Sequence, residues 1–246
     1  MRSSARTLAA ALSLLVLFTG CARGPSFEQR KEDGIRAFQE ERIPEAIDLL
    51  DGCSREEPRD FQVRYYLARS LEAGEQYALA LSEWEHLLLI SPSFAEGHYR
   101  RGNVLAMMKR LGPAIESWGR ATELDPTFTE AYLNQGMAYE DLERWDEAMA
   151  AYLLAIRADS TFSPAYLNLA LLFEKADAWE SALEMFNAAI RLDTTFIGPY
   201  LNRIQLLLRL DRKSEAADRI RELLKREGLD AETSDSLSAL LRRLES

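Results

Sequence analysis

Residues 129–162 read TEAYLNQGMAYEDLERWDEAMAAYLLAIRADSTF, and residues 163–196 read SPAYLNLALLFEKADAWESALEMFNAAIRLDTTF. Laid one on the other they match without a gap at Tyr132/Tyr166, Leu133/Leu167, Asn134/Asn168, Trp145/Trp179, Ala148/Ala182 and Phe162/Phe196. The same 34-residue period extends outward to Phe27 and on through a sixth unit. Its clearest column is Ala46, Ala80, Ala114, Ala148, Ala182 and Ala216. Twelve residues before each stands Gly34, Ala68, Gly102, Gly136, Ala170 and Ile204, small in all but the last. Four residues after each alanine comes a large apolar group: Leu50, Trp84, Trp118, Tyr152, Phe186 and Ile220. A spacing of four is one helical turn on one face, so small and large residues alternate along a packed seam. Two small faces twelve residues apart let two helices approach closely, and each unit reads as a helical hairpin.

Further columns agree. Tyr132, Tyr166 and Tyr200 open their units; Tyr77, Leu111, Trp145 and Trp179 open the second helices; Phe94, Phe128, Phe162 and Phe196 read as plugs between units; Pro58, Pro92 and Pro126 close the first three. The pattern over about residues 27–228 resembles the tetratricopeptide repeat (TPR). It departs at Arg30 and Arg64, which replace the opening aromatic, at Ser160 and Thr194, which replace proline, and at Ile204. The resemblance implies an all-α fold, a right-handed α-solenoid of six hairpins (27–60, 61–94, 95–128, 129–162, 163–196, 197–228). Each hairpin has an apolar face it cannot bury alone, so units must stack. In 229–246, Leu237, Leu240, Leu241 and Leu244 recur at helical spacing behind Asp230 and Thr233, either of which can serve as N-cap; this predicts a C-terminal capping helix.

Composition narrows function. The 246 residues carry 30 basic and 40 acidic side chains, a net charge of −10. Removing a leader with Arg2 and Arg6 would take it to −12 (−10 − 2). A nucleic-acid partner needs a basic stripe to neutralise phosphates, and the only Lys/Arg pairs of note, Arg100–Arg101 and Arg242–Arg243, read as solvated helix faces.

At the N-terminus, Arg2 and Arg6 precede an uncharged run, LAAALSLLVLF, at 8–18. That run falls short of the roughly 20 residues a transmembrane helix requires, and reads as a secretory signal over 1–20. LFTGC at 17–21 resembles the lipobox of bacterial lipoproteins, departing at Phe18 where leucine is usual. The resemblance implies cleavage before Cys21, lipidation of its thiol and anchoring by more than one acyl chain; an ordinary secretory signal followed by a chance cysteine is the other reading. Ala22 after the cysteine implies the outer membrane by the same resemblance, facing the periplasm. A tether over 21–26 spans at most about 18 Å between Cys21 and the first helix. Cys53 falls in a small-residue column and is expected to be a buried, inert thiol.

The chain lacks the usual sequence motifs of catalysis. His86 and His98 are not spaced as metal ligands, and no GxSxG, CxxC, GxGxxG or Walker-type loop occurs. No metal, cofactor or small-molecule substrate is expected. In the resembling family, partners bind the concave face lined by the first helices. The columns there predict a groove at Tyr65, Tyr66, Arg69, Tyr99, Arg100, Asn103, Asn134, Asn168, Asn202 and Gln205. In the family an asparagine ladder at the column of Asn134, Asn168 and Asn202 bonds the backbone of an extended peptide, an amide being both donor and acceptor; Asn is also common in this column across the family. The acidic residues Glu72, Glu140, Asp141 and Glu174 point to steering of a neutral or basic partner. Lys31 with Ile35 does not match the eukaryotic chaperone-tail clamp. The expectation is a lipid-anchored scaffold holding a peptide or helix of an envelope protein in the assembly of pili, secretins, outer-membrane proteins or polysaccharide exporters. A structural role through homo-oligomers is the alternative.

Overall fold

The computed structural model describes residues 24–226 and 228–245. Cys21 and the expected signal segment lie outside them. Among the described residues there are thirteen α-helices and no strand: α1 (Phe27–Gln39), α2 (Ile43–Glu56), α3 (Phe61–Ala73), α4 (Tyr77–Ile90), α5 (Ala95–Met107), α6 (Leu111–Leu124), α7 (Thr129–Asp141), α8 (Trp145–Ala158), α9 (Ser163–Lys175), α10 (Trp179–Leu192), α11 (Ile197–Arg209), α12 (Lys213–Leu224) and α13 (Ala231–Glu245). They form two compact units, divided after Ile90. The first holds the hairpins α1–α2 and α3–α4; the second holds α5–α6, α7–α8, α9–α10 and α11–α12, closed by α13. The 34-residue period runs through position 90 without a break, so the sequence carries no sign of this division.

Each hairpin turns by the same device. Glu41, Glu75, Lys109, Glu143, Asp177 and Asp211 have φ between 56° and 61°. Each is followed by a residue whose N–H donates back across six residues, as Arg42 does to the Ala37 carbonyl at 2.8 Å and Arg144 to the Tyr139 carbonyl at 2.8 Å. This is a Schellman motif, which satisfies carbonyls that the end of a helix leaves without partners. The left-handed residue recurs every 34 positions and is never glycine, so residue type gave no warning of it. Between later hairpins a second device recurs: Asp125, Asp159 and Asp193 accept from the backbone N–H and hydroxyl of the threonine two residues on, at 2.6–2.9 Å.

Side-chain volume is traded across the seam inside each hairpin. Ala46, Ala80, Ala114, Ala148, Ala182 and Ala216 are wholly buried. A Cβ added to Gly102 would lie 2.5 Å from the Trp118 Nε1, and one added to Gly136 would lie 2.5 Å from the Tyr152 Cδ1. Glycine is therefore required opposite these two rings. Ile204 breaks the small column; it and its counterpart, Ile220, are buried in one cluster with Tyr200, Leu223 and Leu237 of α13. Of the two expected caps for α13, Asp230 accepts from the Thr233 N–H at 2.8 Å. Cys53 is fully buried and unpaired, and burial pushes its thiol above the usual range.

In the second unit the first helices also pack on one another, α7 against α9 and α9 against α11. That contact makes the first-helix face the inner side of the stack, and it carries the residues considered next.

Candidate functional site

The predicted groove residues fall on first helices in both units. In the first unit Tyr65, Tyr66 and Arg69 on α3 form an aromatic cluster with Phe38 and Trp84. Tyr65 meets Tyr66 and Trp84 edge-on at 5.3 and 5.7 Å, and Tyr66 meets Phe38 at 5.7 Å. Arg69 lies over the rings of Phe38 and Tyr65 and donates to the Tyr65 hydroxyl at 2.9 Å. These three side chains are thus built into one another.

In the second unit Tyr99 packs against Phe128 with ring centres 4.7 Å apart, and Arg100 reaches Glu96 at 3.3 Å. Asn103 and Asn134 meet directly: the Asn134 Nδ2 donates to the Asn103 Oδ1 at 2.9 Å, and the Trp118 Nε1 donates to the same oxygen at 2.9 Å. Both amides are half-buried beside a cleft of about 280 Å³ whose lining includes Met107, Leu111, Trp118 and Met137. Asn168 is half-buried on α9. Asn202 and Gln205 border a separate concavity of about 350 Å³ with Glu174, Lys175, Asp177 and Arg209. The asparagine column is therefore not uniform: Asn134 is held by Asn103, and Asn202 lies among charged groups. Nothing in the column itself signals this. The only clue was that Asn103 is the single asparagine among Arg69, Met137, Leu171 and Gln205.

The acidic residues are less available than sequence alone implied. Glu72 accepts the Trp84 indole N–H, and Glu140 accepts the Tyr152 hydroxyl at 2.5 Å. Lys175 lies 3.9 Å from Glu140 and 4.0 Å over the Trp145 ring. Arg209 pairs with Glu174 and lies 5.2 Å over Trp179. Three of the four carboxylates are thus spent holding rings or bridging neighbouring hairpins, which leaves Asp141 as the exposed one. The Tyr152 hydroxyl is pushed far above its ordinary range by burial and then by Glu140.

No group of three or more His, Cys, Asp or Glu among the described residues could hold a metal. The His98 Nε2 sits 2.9 Å from the Pro92 carbonyl, a packing role for that ring. A wider concavity of about 570 Å³ in the first unit is bordered by Pro58, Arg59, Arg64 and His86, but Arg64 is already committed to the Pro58 carbonyl and to Glu83. No helix among the described residues is long and apolar enough to cross a membrane.

Comparison with known proteins places this architecture. A sequence model of the tetratricopeptide repeat matches residues 33–96 and 99–161, half of the chain. No curated protein matches. Among solved structures, one described as the functional characterisation of Pseudomonas aeruginosa pilF is 18% identical, covers 87% of this chain and 96% of its own, and superposes with a TM-score of 0.66. MamA from Desulfovibrio magneticus RS-1 is 21% identical over 70% of this chain and 98% of its own, with a TM-score of 0.64. YrrB, described as a TPR protein with an unusual peptide-binding site, is 19% identical over 74% of this chain and 94% of its own, with a TM-score of 0.60. Identities this low bear on the fold alone.

Proposed function

Because the chain belongs to the tetratricopeptide repeat family, we propose that it is a non-catalytic scaffold holding a segment of another protein on the first-helix face of its second unit. One observation carries the proposal. Met107, Met137 and Leu171 are 59%, 50% and 37% exposed on that face, beside half-buried amides. Apolar side chains left in solvent around a few fixed polar points suit a protein partner. The peptide-binding site named for YrrB belongs to a protein of the same fold, and supports a peptide as the bound form. The setting follows from the N-terminus: a lipid on Cys21 would hold the scaffold at the inner leaflet of the outer membrane, beside envelope machinery that assembles pili, secretins, outer-membrane proteins or polysaccharide exporters.

In-cell photocrosslinking tests the reading. A photoreactive residue at Met137 is expected to capture one defined envelope protein, and the same residue at Leu153 on α8 is not. Equal capture from both positions, or none, overturns the assignment of the face. Cys21→Ser is expected to abolish acyl labelling and release the protein from membranes; unchanged fractionation removes the tether. The exposed pair Leu153 and Leu154, 49% and 41% accessible, favours self-association as the second reading, for which light scattering would show a stable dimer.

A further inference from the structure

Arg203 on α11 is a buried cation without a matching anion. Its column, followed at the period of the repeat, reads Asp33, Leu67, Arg101, Gln135, Leu169 and Arg203, so the fold does not require a charge there. Where the column is polar in the third and fourth hairpins, α6 answers it: Arg101 donates to the Ser117 hydroxyl at 2.5 Å, and Gln135 to the Ile115 carbonyl at 3.2 Å. The Arg203 side chain is 8% exposed. Its Nη1 donates to the Asn187 Oδ1 on α10 at 2.6 Å, whereas its Nε and Nη2 are buried and bond nothing among the described residues. One carboxylate comes near. The Glu222 Oε2 on α12 stands 3.9 Å from the Nη2, but the Arg219 Nη1 holds that oxygen at 2.8 Å.

The atoms left over identify what they suit. Nε and Nη2 form the edge of a guanidinium that gives two parallel N–H bonds to a carboxylate or a phosphate. A guanidinium keeps its proton inside a protein, so a buried one needs its donors met and its charge balanced. Burial, and then the charge of Arg219, hold Arg203 below its ordinary range, the direction expected of a cation short of counter-charge. A second guanidinium adds to the first. Arg226, just past α12, donates to the Tyr200 hydroxyl and the Thr194 carbonyl, both neutral acceptors, and its buried Nε bonds nothing among the described residues. Arg203 and Arg226 lie 5.7 and 4.8 Å from the centre of the Tyr200 ring, which brings the two cations together.

We propose that Arg203 is the floor of a binding site for one small oxyanion, of the phosphate or carboxylate type, enclosed by α10, α11 and α12. Its Nε and Nη2 take two oxygens of the anion, Asn187 fixes the plane of the guanidinium, and Arg226 adds positive potential beside Tyr200. Arg219 and Glu222 are exposed side chains that move aside as the anion enters. A buried edge of this size favours a free anion over a carboxyl group carried on a chain, which could not be enclosed. Tyr200 packs in the cluster that contains Leu237 of α13, so a bound anion stabilises the closed end of the stack by mass action.

The test uses the full chain labelled with ¹⁵N, titrated with inorganic phosphate or acetate at an ionic strength held constant with chloride. Saturable shifts are expected at the Nε–Hε signal of Arg203, together with a thermal unfolding midpoint that rises with anion concentration. Arg203→Lys keeps the charge but loses the paired edge, and should weaken binding about tenfold. Arg203→Leu introduces the residue already found at 67 and 169 in this column, and should fold and lose the response. Should the leucine variant fail to fold, the shift at Arg203 in the wild-type chain and its weakening in Arg203→Lys decide the matter. Glu222→Gln removes the competing carboxylate and should tighten binding. Arg221→Met, at an exposed arginine paired with Asp218 and Glu245, should leave it unchanged. A capped octapeptide with a central glutamate should give no shift at Arg203. The proposal is overturned if the midpoint is the same in chloride alone, if Arg203→Leu still responds, if Glu222→Gln abolishes the response, or if only the peptide shifts Arg203.

Discussion

Gly136→Ala sets two well-known effects against each other. Alanine gains about 1 kcal/mol over glycine inside a helix, so propensity alone predicts a more stable protein. The structure predicts the reverse. A Cβ at 136 would meet three atoms of the Tyr152 ring, among them Cδ1 at 2.5 Å, and that ring is wholly buried. Overpacking of this kind costs about 1–3 kcal/mol. Any displacement of the ring also loosens the 2.5 Å bond from the Tyr152 hydroxyl to Glu140, worth about 1.5 kcal/mol when the acceptor is charged. The expected balance is a loss of about 1–3 kcal/mol. Gly52→Ala is the control: it lies inside α2 and is exposed, and a Cβ there meets nothing within 4 Å. It should stabilise by up to about 1 kcal/mol. Urea unfolding followed by circular dichroism reads both as opposite shifts in midpoint. Adding Tyr152→Phe to Gly136→Ala recreates the Ala170/Phe186 pair of the next hairpin, and should recover part of the loss. If Gly136→Ala unfolds at or above the wild-type midpoint, the steric account of the small column is wrong.

Other outcomes follow from the turns and buried groups. Glu143→Gly removes a left-handed strain of about 1 kcal/mol and should raise the unfolding midpoint, although part of the gain goes to the freer unfolded chain. The hydroxyl and N–H of Thr127, Thr161 and Thr195 hold Asp125, Asp159 and Asp193 below the usual carboxylate range. A lowered folded value means that their stabilisation is full above the unfolded value of about 4 and is lost as pH falls through the folded one. Replacing all three by asparagine keeps an acceptor in each turn and should flatten the acid limb of a stability–pH profile. The Tyr152 hydroxyl, shifted upward, contributes stability that is lost as pH rises above about 10. Tyr152→Phe should flatten that limb and cost about 1 kcal/mol at neutral pH. The buried Cys53 thiol should react with a disulfide reagent only at the rate of unfolding.

The periodic parts of the fold were legible because they rest on side-chain volume: six alanines, the small column before them and the large one after repeat in the one-dimensional string. The turns were not legible, because a left-handed glutamate, aspartate or lysine is imposed by the hydrogen bonds that close around it and leaves no mark in residue type. Charge misled for a related reason. Glu72 and Glu140 look like surface acids in a helical pattern, and only the fold reveals Trp84 and Tyr152 beneath them. The relay from Trp118 through Asn103 to Asn134 joins residues 15 and 31 positions apart, offsets that the period does not contain.

The last helix has one more effect. A stack of equivalent hairpins has no intrinsic length, since every second helix offers the surface on which another first helix could settle. In the second unit α13 occupies that surface on α12, with Leu237 sunk into the cluster of Ile204, Ile220 and Leu223. It covers the growing end as a terminator does, so neither a detached hairpin nor another copy of the chain can dock there without first displacing it.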